Sequence, residues 1–167
     1  KMLAVANKEA KNDKIKYLQM SMSELDKLSM KFDIVYSSLA FHYVPDFQNL
    51  ANDIYNLLNT GGYLLFSQEH PIVTATFSGK QHYNKDENGN YTSFTFSNYN
   101  QPGARDTFWY VDGVKKYHRT FSNIISALCR TGFLIDTVCE PLPIENATDF
   151  IPNILEKELI KPTFLIV

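Results

Sequence analysis

The stretch from residue 32 to residue 67 constrains this chain more than any other. Phe32-Asp33-Ile34-Val35-Tyr36 is nearly continuous apolar sequence, the pattern of a strand buried on both faces of a parallel sheet. Asp46 then opens a helix in which Phe47, Leu50, Ala51, Ile54, Leu57 and Leu58 fall at i, i+3, i+4, i+7, i+10 and i+11, a single apolar stripe. Gly61-Gly62 is expected to end that helix, because a left-handed C-terminal cap strains glycine least. Tyr63-Leu64-Leu65-Phe66-Ser67 reads as a second buried strand. Strand, helix and strand at this spacing make one parallel crossover, which commits the chain to an α/β fold.

The remaining segments are read around that unit. Met2, Leu3, Ala6 and Ala10 recur at helical spacing with no N-cap before them, so the chain is expected to lack upstream sequence. Residues 15–20 read as a short strand, and Ser21 with Glu24 forms a capping box for a short helix or turn up to Leu28. Between residues 79 and 118 the rhythm breaks. Asn88-Gly89 and Asp112-Gly113 are hairpin dipeptides, set among Tyr83, Tyr91, Phe94, Phe96, Tyr99, Phe108, Trp109, Tyr110 and Tyr117. We read this as an antiparallel insertion of two hairpins, whose aromatics either pack onto the main domain or line a pocket. Thr120 or Ser122 caps a further helix with Phe121, Ile124, Ile125 and Leu128 on its apolar face, closed by Gly132. A strand over residues 133–138, a short helix over 151–160 and a last strand over 163–167 complete one domain spanning 1–167.

Composition excludes several classes of function. Lys plus Arg is 16 and Asp plus Glu is 18, a net charge of −2, which gives no electrostatic footprint for nucleic acid and no polybasic membrane patch. No apolar run approaches the roughly 20 residues of a membrane span, so a cytoplasmic location is expected. Cys129 and Cys139 are too few for a disulfide framework and read as small core residues. The four histidines, at 42, 70, 82 and 118, match no compact metal-ligand spacing, and no metal is expected. No Gly-x-Ser-x-Gly elbow is present for an esterase-type nucleophile.

Ligands of open α/β sheets bind beyond the carboxyl ends of the strands. Met20-Ser21-Met22, the run Ser37-Ser38-Leu39-Ala40-Phe41-His42-Tyr43, and Ser67-Gln68-Glu69-His70-Pro71 occupy that position. In this order, with the helix-Gly-Gly-strand of residues 57–66 and the helix-Gly132-Phe133 unit, they resemble the class I S-adenosylmethionine-dependent methyltransferases, in particular the small-molecule branch of ubiquinone and menaquinone methylases. The resemblance implies a Rossmann-like sheet lacking its first two strands, with S-adenosylmethionine as cofactor and a small organic molecule as acceptor. It places Ser38 and Leu39 along the cofactor, with Tyr43 close by. Ser21 and Met22 fall at the adenine, where the family carries an Asp that this chain lacks.

Glu69 and His70 are the candidates for general-base work, with a surface carboxylate and a turn histidine as the plain alternative. His82, Trp109 and Tyr110 are candidates for the acceptor wall. The family's Gly-rich cofactor loop is absent from this sequence, so the isolated chain is expected to be inactive. Without the first strands, the strand at Val35 is expected to present an exposed apolar edge, through which the chain aggregates or pairs with a second copy. A second reading is a methyltransferase-like binding or regulatory module without catalysis.

Overall fold

The structure is a computed structural model that describes residues 2–77 and 82–167. A parallel strand pair lies at its centre. Strand β1 (Phe32–Ser38) runs alongside β2 (Leu58–Glu69), and β7 (Phe164–Ile166) pairs antiparallel with the far end of β2. The sheet order is therefore β1-β2-β7. The crossover helix α2 (Phe47–Leu57) is capped by Asp46, whose side chain accepts the Asn49 N–H at 2.9 Å. Its stripe of Phe47, Leu50, Ala51 and Ile54 is buried against Phe66 of β2 and Leu165 of β7.

Helix α4 (Phe121–Thr131) packs beside α2 and adds Ile124, Ala127 and Leu128 to the same cluster. Thr120 is its N-cap in a reciprocal box with Asn123, and Gly132 ends it at φ 113°. A polar staple holds the two helices together: Gln48 of α2 donates to Thr131 Oγ1 at 2.8 Å. The sequence-derived α/β fold with its parallel crossover is thus the observed one. Both helices cover one side of the sheet. On the other side Ile34, Tyr36 and Tyr63 are 64%, 66% and 69% exposed.

The insertion comprises two antiparallel hairpins. Strands β3 (His82–Lys85) and β4 (Tyr91–Thr95) reverse through a turn in which Gly89 has φ 86°. Strands β5 (Gly103–Trp109) and β6 (Val111–His118) form the second, and its reversal is at Tyr110, with φ 57°. Asp112-Gly113 lies inside β6 instead of at the turn, so the dipeptide was misread as the reversal. Gly113, at φ 76°, sits where the β5–β6 pairing slips between Thr107 and Trp109. Arg105 anchors this hairpin. Its fully buried guanidinium donates to the carbonyls of Ala75 (2.9 Å) and Gln101 (2.6 Å) and stacks on the Phe77 ring.

Several expectations are corrected. Residues 15–20 form no strand, because among the described residues no neighbouring strand supplies their hydrogen bonds. Residues 133–138 are likewise not a strand; Phe133 and Ile135 pack against the apolar cluster, and the backbone bridges the sheet just after them, from Cys139 to Ile166. Cys129 and Cys139 are exposed rather than in the core. The short segments came closer. Helix α1 (Met2–Glu9) forms, the Ser21–Glu24 capping box closes a 3-10 turn at Met22–Lys27, and α5 (Ile154–Ile160) lies inside its expected span.

The most informative correction concerns Gly61-Gly62. Helix α2 ends at Leu57, and both glycines lie within β2. Between the pairs Phe32–Leu58 and Ile34–Tyr63, β2 spends more residues than β1, and Gly61 takes φ 78° to absorb the surplus. At Gly62 the two chains approach closely: a Cβ there would meet the Asp33 carbonyl oxygen at 2.9 Å and that of Asn59 at 3.0 Å. Both obstructions are backbone. Gly62→Ala is accordingly expected to destabilise the domain by more than about 1 kcal/mol. Urea unfolding of the variant beside the wild type measures this, and an unchanged midpoint would mean that the strands do not close there.

Candidate functional site

The parallel pair ends at Ser38 opposite Ser67, and the candidate residues gather around that end. Leu39 follows at φ 51°, a conformation that costs a branched, non-glycine residue on the order of 1 kcal/mol. The turn is held by the Leu39 N–H, which donates to the Ser67 carbonyl at 2.9 Å and approaches Ser67 Oγ at 3.3 Å. As a result an apolar side chain stands in solvent at the strand end, where ligands of such sheets bind. The chain then enters a 3-10 turn (Phe41–Tyr43) that buries Phe41 against Phe66, ring centroids 4.9 Å apart. The same turn places His42 inside the protein with the Tyr43 ring 4.3 Å away.

His42 connects the two strand ends. Its Nδ1 accepts the backbone N–H of Glu69 at 3.3 Å, so in the neutral ring the hydrogen sits on Nε2. Burial disfavours the imidazolium and holds the pKa down at about 4, only partly opposed by the Glu69 carboxylate. Glu69 itself forms an ion pair with Lys116 of β6, Oε1 to Nζ 2.6 Å, and both side chains are largely buried. Lys161, at the end of α5, is also buried; it donates to Thr163 Oγ1 at 2.9 Å, and desolvation lowers its pKa.

His70 is differently occupied. As the N-cap of α3 (Pro71–Thr74) its Nδ1 accepts the Ile72 N–H at 3.2 Å, which leaves Nε2–H to donate to Glu140 Oε1 at 2.8 Å. Both ring nitrogens are engaged, so in this geometry neither is open to an acceptor's proton. His118 is similarly committed: Nε2 donates to the Tyr99 carbonyl and Nδ1 meets Thr74 Oγ1, each at 2.8 Å. Arg119 is pinned under the turn before α2, donating to the carbonyls of Val44, Pro45 and Tyr117. Desolvation brings its pKa down to about 10.

The structure thus brings Ser38, Leu39, Glu69 and His70 to one end of the sheet, with Tyr43 on the adjoining turn. Met22 packs against the edge of the apolar cluster, and Ser21 is exposed with its Oγ on Ser23 and its N–H on Glu24. The insertion residues lie apart from that group. His82 is exposed at the start of β3, opposite Thr95, and Tyr110 is 84% exposed at the reversal of its hairpin. The side chain of Trp109 lies outside the described residues.

Sequence reasoning missed Lys116, although a signal was present. Val114, Lys116 and His118 alternate along β6, which puts a lysine on the same inward face as a buried histidine. A wider cavity of about 270 Å³ lies at the opposite end of β1, between Leu25, Met30, Lys31 and Asn56, and contains none of the candidate residues. Among the described residues no cluster of three metal-ligating side chains occurs.

The buried histidine makes stability depend on pH. In the unfolded chain His42 has the ordinary pKa of 6.5, whereas in the folded state it is about 4, so the unfolded state binds the proton more tightly. Stability is complete above pH 6.5 and declines as the pH falls toward 4, by up to about 3 kcal/mol from this group. His70 and His118, with pKa values also lowered by burial, add to the decline in the same direction. Urea unfolding across this range is expected to show a shallower decline in His42→Gln than in the wild type. Parallel profiles would mean that His42 is not buried as the neutral ring.

Comparison with known proteins agrees with the fold. Residues 1–66 match the family model described as "Methyltransferase domain". The chain is 38% identical to an S-adenosylmethionine-dependent methyltransferase from Mesorhizobium loti, whose crystal structure superposes with a TM-score of 0.83 over 99% of this chain and 74% of that one. A structure from Listeria monocytogenes, provisionally named as the same kind of enzyme, gives 28% identity and a TM-score of 0.80 over 99% of this chain and 73% of its own. An uncharacterised Haemophilus influenzae protein is 35% identical over 111 residues, which span 66% of this chain and 43% of that protein's length. The chain belongs to the S-adenosylmethionine-dependent methyltransferase family.

Proposed function

We propose that the whole protein transfers the methyl group of S-adenosylmethionine to a small organic acceptor at the carboxyl ends of β1 and β2. The observation that carries this reading is the Glu69–Lys116 pair, placed two residues beyond the Ser67 anchor of the strained Leu39 turn. The strand end suits such a cofactor, since Ser38 is exposed and Leu39 offers an apolar side chain to solvent. When bound, the cofactor supplies an electrophilic methyl carbon, so the protein's work is mainly orientation. Ser38, Leu39 and Tyr43 line it in this reading, with Met22 as an apolar contact. Ser21 is spent on its capping box and contributes backbone only.

Lys116 fixes Glu69 through Oε1, which leaves Oε2 to take the proton of an acceptor that must lose one. His70 holds the first turn of α3 in place and does no proton transfer. The β5–β6 hairpin supplies Lys116, so in this reading the inner end of the insertion forms the acceptor side, while His82 and Tyr110 stand away from it. Glu69→Gln is expected to lower turnover by about 10²–10⁴-fold while leaving the affinity for S-adenosylhomocysteine unchanged. The experiment screens small-molecule acceptors against the full-length protein, reads S-adenosylhomocysteine release, and titrates the product by calorimetry. Full turnover in the variant would remove Glu69 from the chemistry. Cofactor binding with no turnover on any acceptor would favour a non-catalytic module.

A further inference from the structure

Among the described residues one buried side-chain atom has no hydrogen-bond partner, Oε1 of Gln68. Gln68 is 3% exposed, sits between Phe66 and Glu69 on β2, and pairs in register with Leu165 of β7. An amide oxygen left unpaired in such a place has lost its water without gaining a partner, which calls for an explanation. A cavity of about 10 Å³ adjoins it, walled by His42, Gln68, Glu69, Thr74, Tyr117 and Arg119.

The chemistry of those walls selects what fits. Because His42 Nδ1 is used by the Glu69 N–H, Nε2 carries the ring hydrogen and is a donor, and His42 is one of the cavity's walls. An occupant that touches both groups accepts from His42 Nε2–H and donates to Gln68 Oε1. The Arg119 guanidinium, turned to the carbonyls beneath the cavity, disfavours a cation. A volume of this size admits one water molecule and nothing larger. We propose that the cavity binds a single water that accepts from His42 Nε2–H and donates to Gln68 Oε1, making Gln68 a positioning residue for the backbone that carries Glu69.

This water site does not depend on what Glu69 does to an acceptor, and its test uses no turnover. The measurements are a crystal structure of the full-length wild-type protein, at a resolution that shows ordered waters, and the imidazole ¹⁵N resonances of His42 in the wild type and in Gln68→Met. The expected density is one water within hydrogen-bond distance of both Gln68 and His42. In Gln68→Met the His42 Nε2 resonance shifts while Nδ1, still held by Glu69, stays in place. An empty cavity, a water that reaches only one of the two groups, or an Nε2 resonance unmoved by the substitution would each overturn the proposal. If Gln68→Met does not fold, the wild-type density decides alone.

Discussion

The domain depends on burying one side of a parallel strand pair. Phe66 of β2 has no exposed surface, and the rings of Phe41 and Phe47 lie within about 6 Å of its own. The helical stripe of α2, the inner face of α4 and Leu165 of β7 converge on the same point. Phe41 belongs to the turn that leaves β1, so the packing that stabilises the sheet also fixes where the chain goes after Ser38. The candidate site inherits its geometry from that core. Leu39 remains in a left-handed conformation because Ser67 holds its N–H and Phe41 is anchored two residues later.

Around this core the structure buries charge, and the insertion hairpin brings most of it. Strand β6 carries Lys116 to Glu69 and His118 to Thr74, while Arg105 of β5 reaches back to carbonyls at the base of the same hairpin. Buried ions are costly unless paired: Lys116 finds a carboxylate and Arg105 finds carbonyls, while His118, whose charged form burial disfavours, meets a hydroxyl. The hairpin is consequently locked to the main sheet by polar contacts at its inner end, while its tip at Tyr110 stands in solvent. That arrangement sets the inner end of one element against Glu69 and leaves its tip exposed.

The elements legible in the sequence were those whose local pattern has one physical solution. The α2 stripe with Asp46 before it, the Thr120 and Gly132 caps of α4, and the Asn88-Gly89 turn are encoded within a few residues and formed as expected. Residues 15–20 and 133–138 have strand-like composition, but a strand needs a neighbour, and neighbours are not written in the segment itself. Gly61-Gly62 satisfied the rule for a helix end equally well as the rule for a strand irregularity, and only the register against Asp33 separates the two. At the site, Glu69 and Leu39 were visible as residues at strand ends. Lys116 was not, because its partner is 47 residues away and its burial rests on how a hairpin folds back.

The central claim is that the cofactor sits at the carboxyl end of the β1–β2 pair. Chemical-shift mapping of the full-length protein with S-adenosylhomocysteine tests it most directly. The account predicts that the largest backbone perturbations fall at Ser38, Leu39 and Tyr43, with those at Tyr110 and at the Lys31–Asn56 end of the sheet near zero. Perturbations concentrated at that opposite end, with Ser38 and Leu39 unmoved, would contradict it.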